Sequence, residues 1–270
     1  TKTLGYYSPA FFKMNVNVSG DIDLNSMSPR DFSVFFHEYI HFIQDFTTAA
    51  CSRRIYVYGE YLRQSVTQTT NGANNTFRVP VTIHDYENNV LPNIKLMDNL
   101  EGDRNDLEIK SINDVMLLGE SVDDKDGGKV DYEILTLDVN QGDYLTVGAY
   151  AIKESMAYLV EKLCCSDYSK SPDFPYNIAR ILSDFILGDR TLSDIFLLAL
   201  CDVSLLTSNP GLTYYHLLRA IKMGEIDVKE PEGIYDYFYN CKSRVYNTGQ
   251  PVSSLEDSLT TAKLETVVKC

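Results

Sequence analysis

The segment between Phe32 and about Thr48 constrains the fold more than any other part of this chain. Its aromatic and aliphatic residues recur at helical spacing around most of the circumference, which predicts a helix buried in the middle of a domain. Ser28 supplies a good N-terminal cap, and Pro29 suits the first helical position. The domain must therefore be organised around this helix.

Three polar residues interrupt that helix in the pattern His-Glu-x-x-His, at His37, Glu38 and His41. Residues four apart lie on one helix face, so both imidazoles can bind one metal ion. Neutral imidazoles suit Zn²⁺, whose catalytic sites take a third protein ligand and keep one position open. Glu38 is then placed to take a proton from the attacking water and pass it to a leaving group. The alternative is that both histidines are hydrogen-bonded core residues and Glu38 is an ion-paired acid.

The third ligand must come from elsewhere, and Glu154 is the best candidate by elimination and burial. It lies on a helix predicted over Gly148–Cys165, which is apolar on two faces. A lone carboxylate in such a helix requires a cation. Glu161 lies on the same side two turns later, and we interpret it as a solvated acid or as an outer partner of the site.

Other polar residues are candidates for supporting roles. Asp45 lies one turn after His41 and is expected to orient an imidazole, with Gln44 as a similar candidate on that face. His84 lies in a polar segment and is expected in an exposed loop. His216 is either a core or surface histidine or a catalytic residue that donates a hydrogen bond to the oxyanion. Two neighbouring tyrosines, Tyr214 and Tyr215, could fill the same oxyanion role.

These motifs resemble the gluzincin branch of the zincin metallopeptidases. The resemblance rests on the His-Glu-x-x-His helix and on a downstream helix that carries Lys153-Glu-Ser-Met-Ala157. It departs from the thermolysin-like pattern at Tyr158, where an acid is expected four residues after the third ligand. The resemblance implies an N-terminal β-sheet whose edge strand binds an extended peptide, and a mainly helical C-terminal part. The site residues it implies are the zinc ligands His37, His41 and Glu154, and the base Glu38.

The remaining pattern predicts an α+β fold, zincin-like, with a β-rich insert between two helical parts. Residues 1–148 would hold the motif helix and the insert, and residues 149–270 the helical part with the third ligand, in one compact unit. Residues 70–145 are predicted to be an irregular β region, with strands at Thr76–Ile83, Asp114–Leu118 and Val130–Val139. Helices are predicted at Arg54–Val66, Tyr176–Leu187, Ser193–Leu206, Thr213–Lys222 and Ile234–Val245, with a last one from about Leu255.

Charge and cysteine content narrow the function classes. The net charge is −14, which disfavours a nucleic-acid partner. Residues 85–144 hold sixteen acids and five bases, a net charge of −11. We interpret this segment as a solvated face, or alternatively as a lip of the cleft that steers basic substrates or controls access. No apolar run is long enough to span a bilayer. Six cysteines without a metal-binding or disulfide pattern predict reduced thiols and a cytoplasmic location.

The sequence therefore predicts a zinc-dependent peptidase that acts on a protein or peptide. A cytoplasmic peptidase needs narrow specificity or a gated site, and an activating or inhibiting protein partner is one way to provide the gate. Two alternatives stay open at this point. The protein could be a metal-binding interaction or regulatory protein without peptidase activity, or a zinc hydrolase that acts on a non-peptide amide or ester.

Overall fold

The computed structural model describes residues 5–8, 12–17, 23–70, 90–123, 127–167, 170–227 and 229–248. These residues form eight helices and two small antiparallel sheets, which confirms the α+β class. The strands are β1 (Gly5–Ser8), β2 (Lys13–Val16), β3 (Ile112–Asp123), β4 (Lys129–Val139) and β5 (Asp143–Val147). The helices are α1 (Pro29–Thr47), α2 (Ala49–Thr70), α3 (Val90–Glu101), α4 (Ala149–Cys164), α5 (Ile178–Leu187), α6 (Asp194–Leu205), α7 (Pro210–Met223) and α8 (Glu232–Thr248).

The two sheets occupy different places in the molecule. β1 and β2 form a hairpin that packs on α1. β3, β4 and β5 form the second sheet with β4 in the centre, and its inward residues Leu135, Leu137 and Val139 are fully buried. The strands predicted at Asp114–Leu118 and Val130–Val139 are therefore present and longer than expected. The predicted strand Thr76–Ile83 and the helix from about Leu255 lie outside the described residues.

The prediction of an irregular β region over residues 70–145 is wrong at α3. This helix buries Val90, Leu96, Met97 and Leu100, which follow one face at helical spacing. Its high content of asparagine and aspartate, residue types that are common in loops, hid this spacing in the sequence. α3 matters for the site because its last residue, Glu101, is buried and lines the central cavity.

Helix α4 is the central element of the fold. Ala151, Ile152 and Ala157 have no exposed surface, and the helix contacts α1, α5, α6 and α7. Its start is fixed by a close backbone approach at Gly148, where an added Cβ would lie 2.4 Å from the carbonyl oxygen of Leu100. No larger residue fits there without a shift of the backbone. This contact holds the first turn of α4 against the end of α3.

Helix α1 is not buried all round, which corrects the sequence-based expectation. Ser28 caps it by accepting a hydrogen bond from the Asp31 amide at 3.1 Å, as predicted. The helix buries its polar residues and exposes part of its apolar surface, with Tyr39 40%, Ile43 36% and Phe46 60% exposed. The aromatic rings instead stack along the helix, as in the Phe32–Phe36 pair with centroids 5.8 Å apart. The polar face takes the inner position, where α4 offers partners to His37, His41 and Gln44.

The described acids of the charged segment lie in two different environments. Acids of the β3–β4 hairpin such as Glu120 and Asp131 are exposed, whereas Glu101 and Asp106 line the central cavity. Cys51, Cys164, Cys165 and Cys201 are free thiols. Among the described residues, none of the helices combines the length and the apolar character needed to cross a membrane.

Candidate metal centre

Helices α1 and α4 face each other so that three metal-ligating side chains converge. The Oε2 atom of Glu154 lies 3.2 Å from Nε2 of His37 and 3.1 Å from Nε2 of His41. All three residues are buried, and their ligand atoms lie within 4.8 Å of one another. Two ligand atoms bound to one zinc ion at a tetrahedral angle lie about 3.3 Å apart. The structure thus brings together the three residues that the sequence singled out as ligands, and the group could hold a metal ion.

The other nitrogen of each imidazole is held by an acceptor. Nδ1 of His37 lies 3.0 Å from Oε2 of Glu161, which also accepts a hydrogen bond from the Ser33 hydroxyl through its other oxygen. Nδ1 of His41 lies 2.8 Å from Oε1 of Gln44. The amide orientation of Gln44 is fixed, because its Nε2 donates to the Lys153 carbonyl at 3.1 Å.

These acceptors determine what the site can bind. A carboxylate or an amide oxygen facing Nδ1 requires a proton on that nitrogen, so a neutral imidazole presents a lone pair at Nε2. Both Nε2 lone pairs then point at the Glu154 carboxylate, and three electron-rich atoms cannot share this space without a cation. A divalent metal ion fits this donor set of two imidazoles and one carboxylate.

In the absence of a metal, a proton can partly take its place. The pKa of His37 is raised to about 10, because the hydrogen bonds and charges of Glu154 and Glu161 outweigh the effect of burial, which by itself would lower it. Burial lowers the pKa of His41. The pKa of Glu154 lies well below its usual range, because its interactions with the two imidazoles, and with the charge of Lys153, outweigh the effect of burial, which by itself would raise it.

Glu38 lines the same cavity as the three ligands. Its side chain is buried, and this burial raises its pKa to about 7, while the charges of His37 and Lys153 partly oppose the rise. A carboxyl group with such a pKa can both accept and release a proton near neutral pH. Gly5 of β1 lies directly against it, since an added Cβ would be 3.1 Å from Cγ and Oε1 of Glu38.

The cavity has a volume of about 520 Å³ and is partly open to solvent. Besides two tyrosines of β1, Tyr150 on α4 and Tyr176 just before α5 line it. The Tyr176 ring centroid lies 5.9 Å from that of His37. Burial raises the pKa of both phenols well above the usual range, so both stay protonated and can donate hydrogen bonds.

Several residues singled out in the sequence do not meet the ligands. His216 lies on α7 against the Tyr215 ring, with centroids 5.4 Å apart, and it is not among the described residues that line the cavity. Tyr214 is fully buried and donates to the Ala179 carbonyl at 2.9 Å, a structural role. Asp45 lies beside Tyr7 of β1 and helps burial to raise the pKa of that phenol. The predicted exposed loop at His84 lies outside the described residues.

The supporting roles therefore differ from the expectation. Gln44 and Glu161, rather than Asp45, orient the imidazoles. Of the two interpretations of Glu161, the outer partner of the site is confirmed and the solvated acid is wrong, because its side chain is buried. Tyr176 was missed, and nothing in its local sequence signals that the chain returns to the cavity there.

Comparisons with protein-family models, with curated proteins and with solved structures find no match.

Proposed function

We propose that the protein is a zinc-dependent peptidase of the zincin type, with His37, His41 and Glu154 as ligands and Glu38 as the base. The observation that carries this proposal is the convergence of both Nε2 lone pairs on the Glu154 carboxylate, with Glu38 in the same cavity. A zinc ion bound there supplies Lewis-acid polarisation of the substrate carbonyl and lowers the pKa of a water molecule. A structural zinc site would instead be closed by four protein ligands.

Glu38 carries the proton transfers in this proposal. As a carboxylate it takes a proton from the attacking water, and as a carboxylic acid it gives that proton to the leaving amine. Its pKa of about 7 suits both steps. Gly5 supports the role sterically, because its missing side chain lets β1 approach while Glu38 stays in position.

Strand β1 is the proposed binding surface for the peptide backbone. It pairs with β2 along one edge, and among the described residues no strand pairs with its other edge. Gly5, Tyr6 and Tyr7 of β1 line the cavity. An extended peptide can add to such an edge through backbone hydrogen bonds, which would place one of its carbonyls near the ligands. This arrangement matches the edge strand that the gluzincin resemblance implies.

Tyr176 and Tyr150 are the proposed donors to the oxyanion that develops during attack. They replace His216 as the leading candidates because they line the cavity. A phenol with a raised pKa remains a donor throughout the reaction, and preorganised donors of this kind stabilise developing charge strongly in a site with little water.

Cleavage profiling of a proteome-derived peptide library tests the proposal. Zinc-loaded wild-type protein should cut a subset of peptides, and Glu38→Gln should cut none while it retains zinc. Glu120→Gln, which changes an exposed glutamate of β3, is the matched control and should cut like the wild type. Equal cleavage by wild type and Glu38→Gln would refute the role of Glu38. If zinc binds but no peptide is cut, the protein is either a metal-binding regulator or a hydrolase of other amides and esters. An assay with ester and non-peptide amide substrates then separates these two cases, because only the hydrolase would cleave them.

A further inference from the structure

A buried cation, Lys153, lies next to the candidate metal centre. It immediately precedes Glu154 on α4, and only 8% of its surface is exposed. Its ammonium group lies over the Tyr150 ring, 5.9 Å from the centroid, and the residue lines the same cavity as Glu38. Its backbone is held in place by the hydrogen bond that its carbonyl accepts from Gln44.

The charge of Lys153 is not balanced by a direct contact. Among the described residues, no acid forms an ion pair with its ammonium group, whereas Arg54 and Arg104 both contact Glu101, at 3.5 Å and 3.7 Å. Burial of an unpaired charge is costly, so such a group persists in a cleft when it has a role there. Two acids that line the same cavity are engaged elsewhere, since Glu154 faces the two histidines and Glu161 holds His37.

A bound metal ion would add to the unbalanced positive charge beside Lys153. Two neutral imidazoles and one carboxylate offset only part of the charge of a divalent ion, so the centre itself carries net positive charge. Lys153 adds a second positive charge on the same wall of the cavity. An anionic group that enters the cavity would therefore find an ammonium partner with few remaining water contacts, where charge-assisted hydrogen bonds are strong.

We propose that Lys153 binds a carboxylate of the substrate, on the residue next to the bond that is cleaved. This inference rests on the proposed metal centre and deepens it by naming the substrate class: peptides with an acidic side chain or a free C-terminal carboxylate beside the scissile bond. Both kinds of peptide would present a carboxylate to the ammonium group of Lys153. The negative charge of the β3–β4 hairpin would favour the approach of basic substrates, whereas Lys153 favours a carboxylate beside the scissile bond.

Two pairs of hydroxamate probes test this inference on the full, zinc-loaded chain. The first pair is N-acetyl-aspartyl hydroxamate and N-acetyl-asparaginyl hydroxamate, which differ only in a side-chain carboxylate. The second is a malonyl hydroxamate linked to alanine, with a free C-terminal carboxylate or a C-terminal amide. Dissociation constants are measured by calorimetry for the wild type, Lys153→Met, Lys153→Arg and the control Lys170→Met, which removes an exposed cation of the cavity lining.

The wild type and Lys170→Met should bind the acid of at least one pair about tenfold more tightly than its amide. The pair that shows the preference identifies the source of the carboxylate. Lys153→Met keeps the aliphatic stem of the side chain, so it should bind the amide probe as before but lose the preference for the acid. Lys153→Arg should retain part of the preference for the acid. Equal binding of acid and amide by the wild type, or an unchanged preference in Lys153→Met, would overturn the inference.

The outcomes also separate this inference from the proposed function. If no hydroxamate binds the zinc-loaded protein, the open metal centre is wrong and the inference fails with it. If the hydroxamates bind without discrimination, the metal centre stands and only the role of Lys153 is wrong. If the acid preference depends on Lys153 but no peptide is cleaved, the inference stands and the peptidase activity is wrong.

Discussion

Replacement of Glu161 by glutamine should weaken metal binding, although Glu161 is not one of the three proposed ligands. Its carboxylate accepts hydrogen bonds from Nδ1 of His37 and from Ser33 at a site with almost no solvent contact. A hydrogen bond to a charged group contributes about 1.5–3 kcal/mol, and the amide keeps only a weaker neutral bond. Loss of most of this contribution corresponds to a decrease in zinc affinity of about 10- to 100-fold, the range expected for outer partners of metal-ligating histidines.

The assay is a competition titration against a fluorescent zinc chelator, with Glu120→Gln as the control that removes an exposed acid. Circular dichroism and thermal unfolding of the metal-free proteins show whether the fold is kept. A zinc affinity of Glu161→Gln within twofold of the wild type, with the fold intact, would contradict this prediction. It would mean that Glu161 neither orients His37 nor raises its basicity.

Three further predictions concern the base, the oxyanion and the protons of the site. Gly5→Ala places a Cβ 3.1 Å from Glu38 and should lower kcat about tenfold at unchanged zinc content; equal kcat would refute the steric role. Tyr176→Phe should lower kcat about 100-fold with little effect on KM, and an unaffected kcat would assign the oxyanion to Tyr150 or another donor. Because the pKa of His37 is about 10 without metal, zinc binding at pH 7 to 8 should release about one proton from it. Below that pKa, the apparent zinc affinity should therefore rise by up to about tenfold for each unit of pH. Calorimetry in buffers of different ionisation enthalpy measures this proton release, and zero release would contradict the raised pKa of His37.

The sequence predicts the parts of the site that depend on one helix at a time. The His-Glu-x-x-His spacing places His37 and His41 on one face of α1, because helical geometry alone determines which residues share a face. Glu154 followed from the burial of α4, whose two apolar faces leave no solvent for a carboxylate. The helices from α4 to α8 were likewise predicted, within a few residues at their ends.

Features that depend on how helices pack against each other were not predictable in this way. Glu161 reaches His37 only because α4 packs on α1 at a particular register, which the close approach at Gly148 helps to set, so the sequence left two interpretations of Glu161 open. Gln44 lies on α1 itself, three residues after His41, and was already a candidate from the sequence. The exposed aromatic residues of α1 were expected in the core, since periodicity does not reveal that the polar face would take the inner position. Tyr176 reaches the cavity from a separate turn, so no spacing within the sequence relates it to the ligands.

The metal centre is tested most directly by anomalous diffraction at the zinc absorption edge from crystals of the zinc-loaded protein. One strong peak per chain is expected, at about 2.0–2.2 Å from Nε2 of His37, Nε2 of His41 and a carboxylate oxygen of Glu154. Glu38 should lie beside the open position without coordinating the ion. A peak at any other set of residues, or the absence of a peak between these three at saturating zinc, would show that the proposed metal centre is wrong.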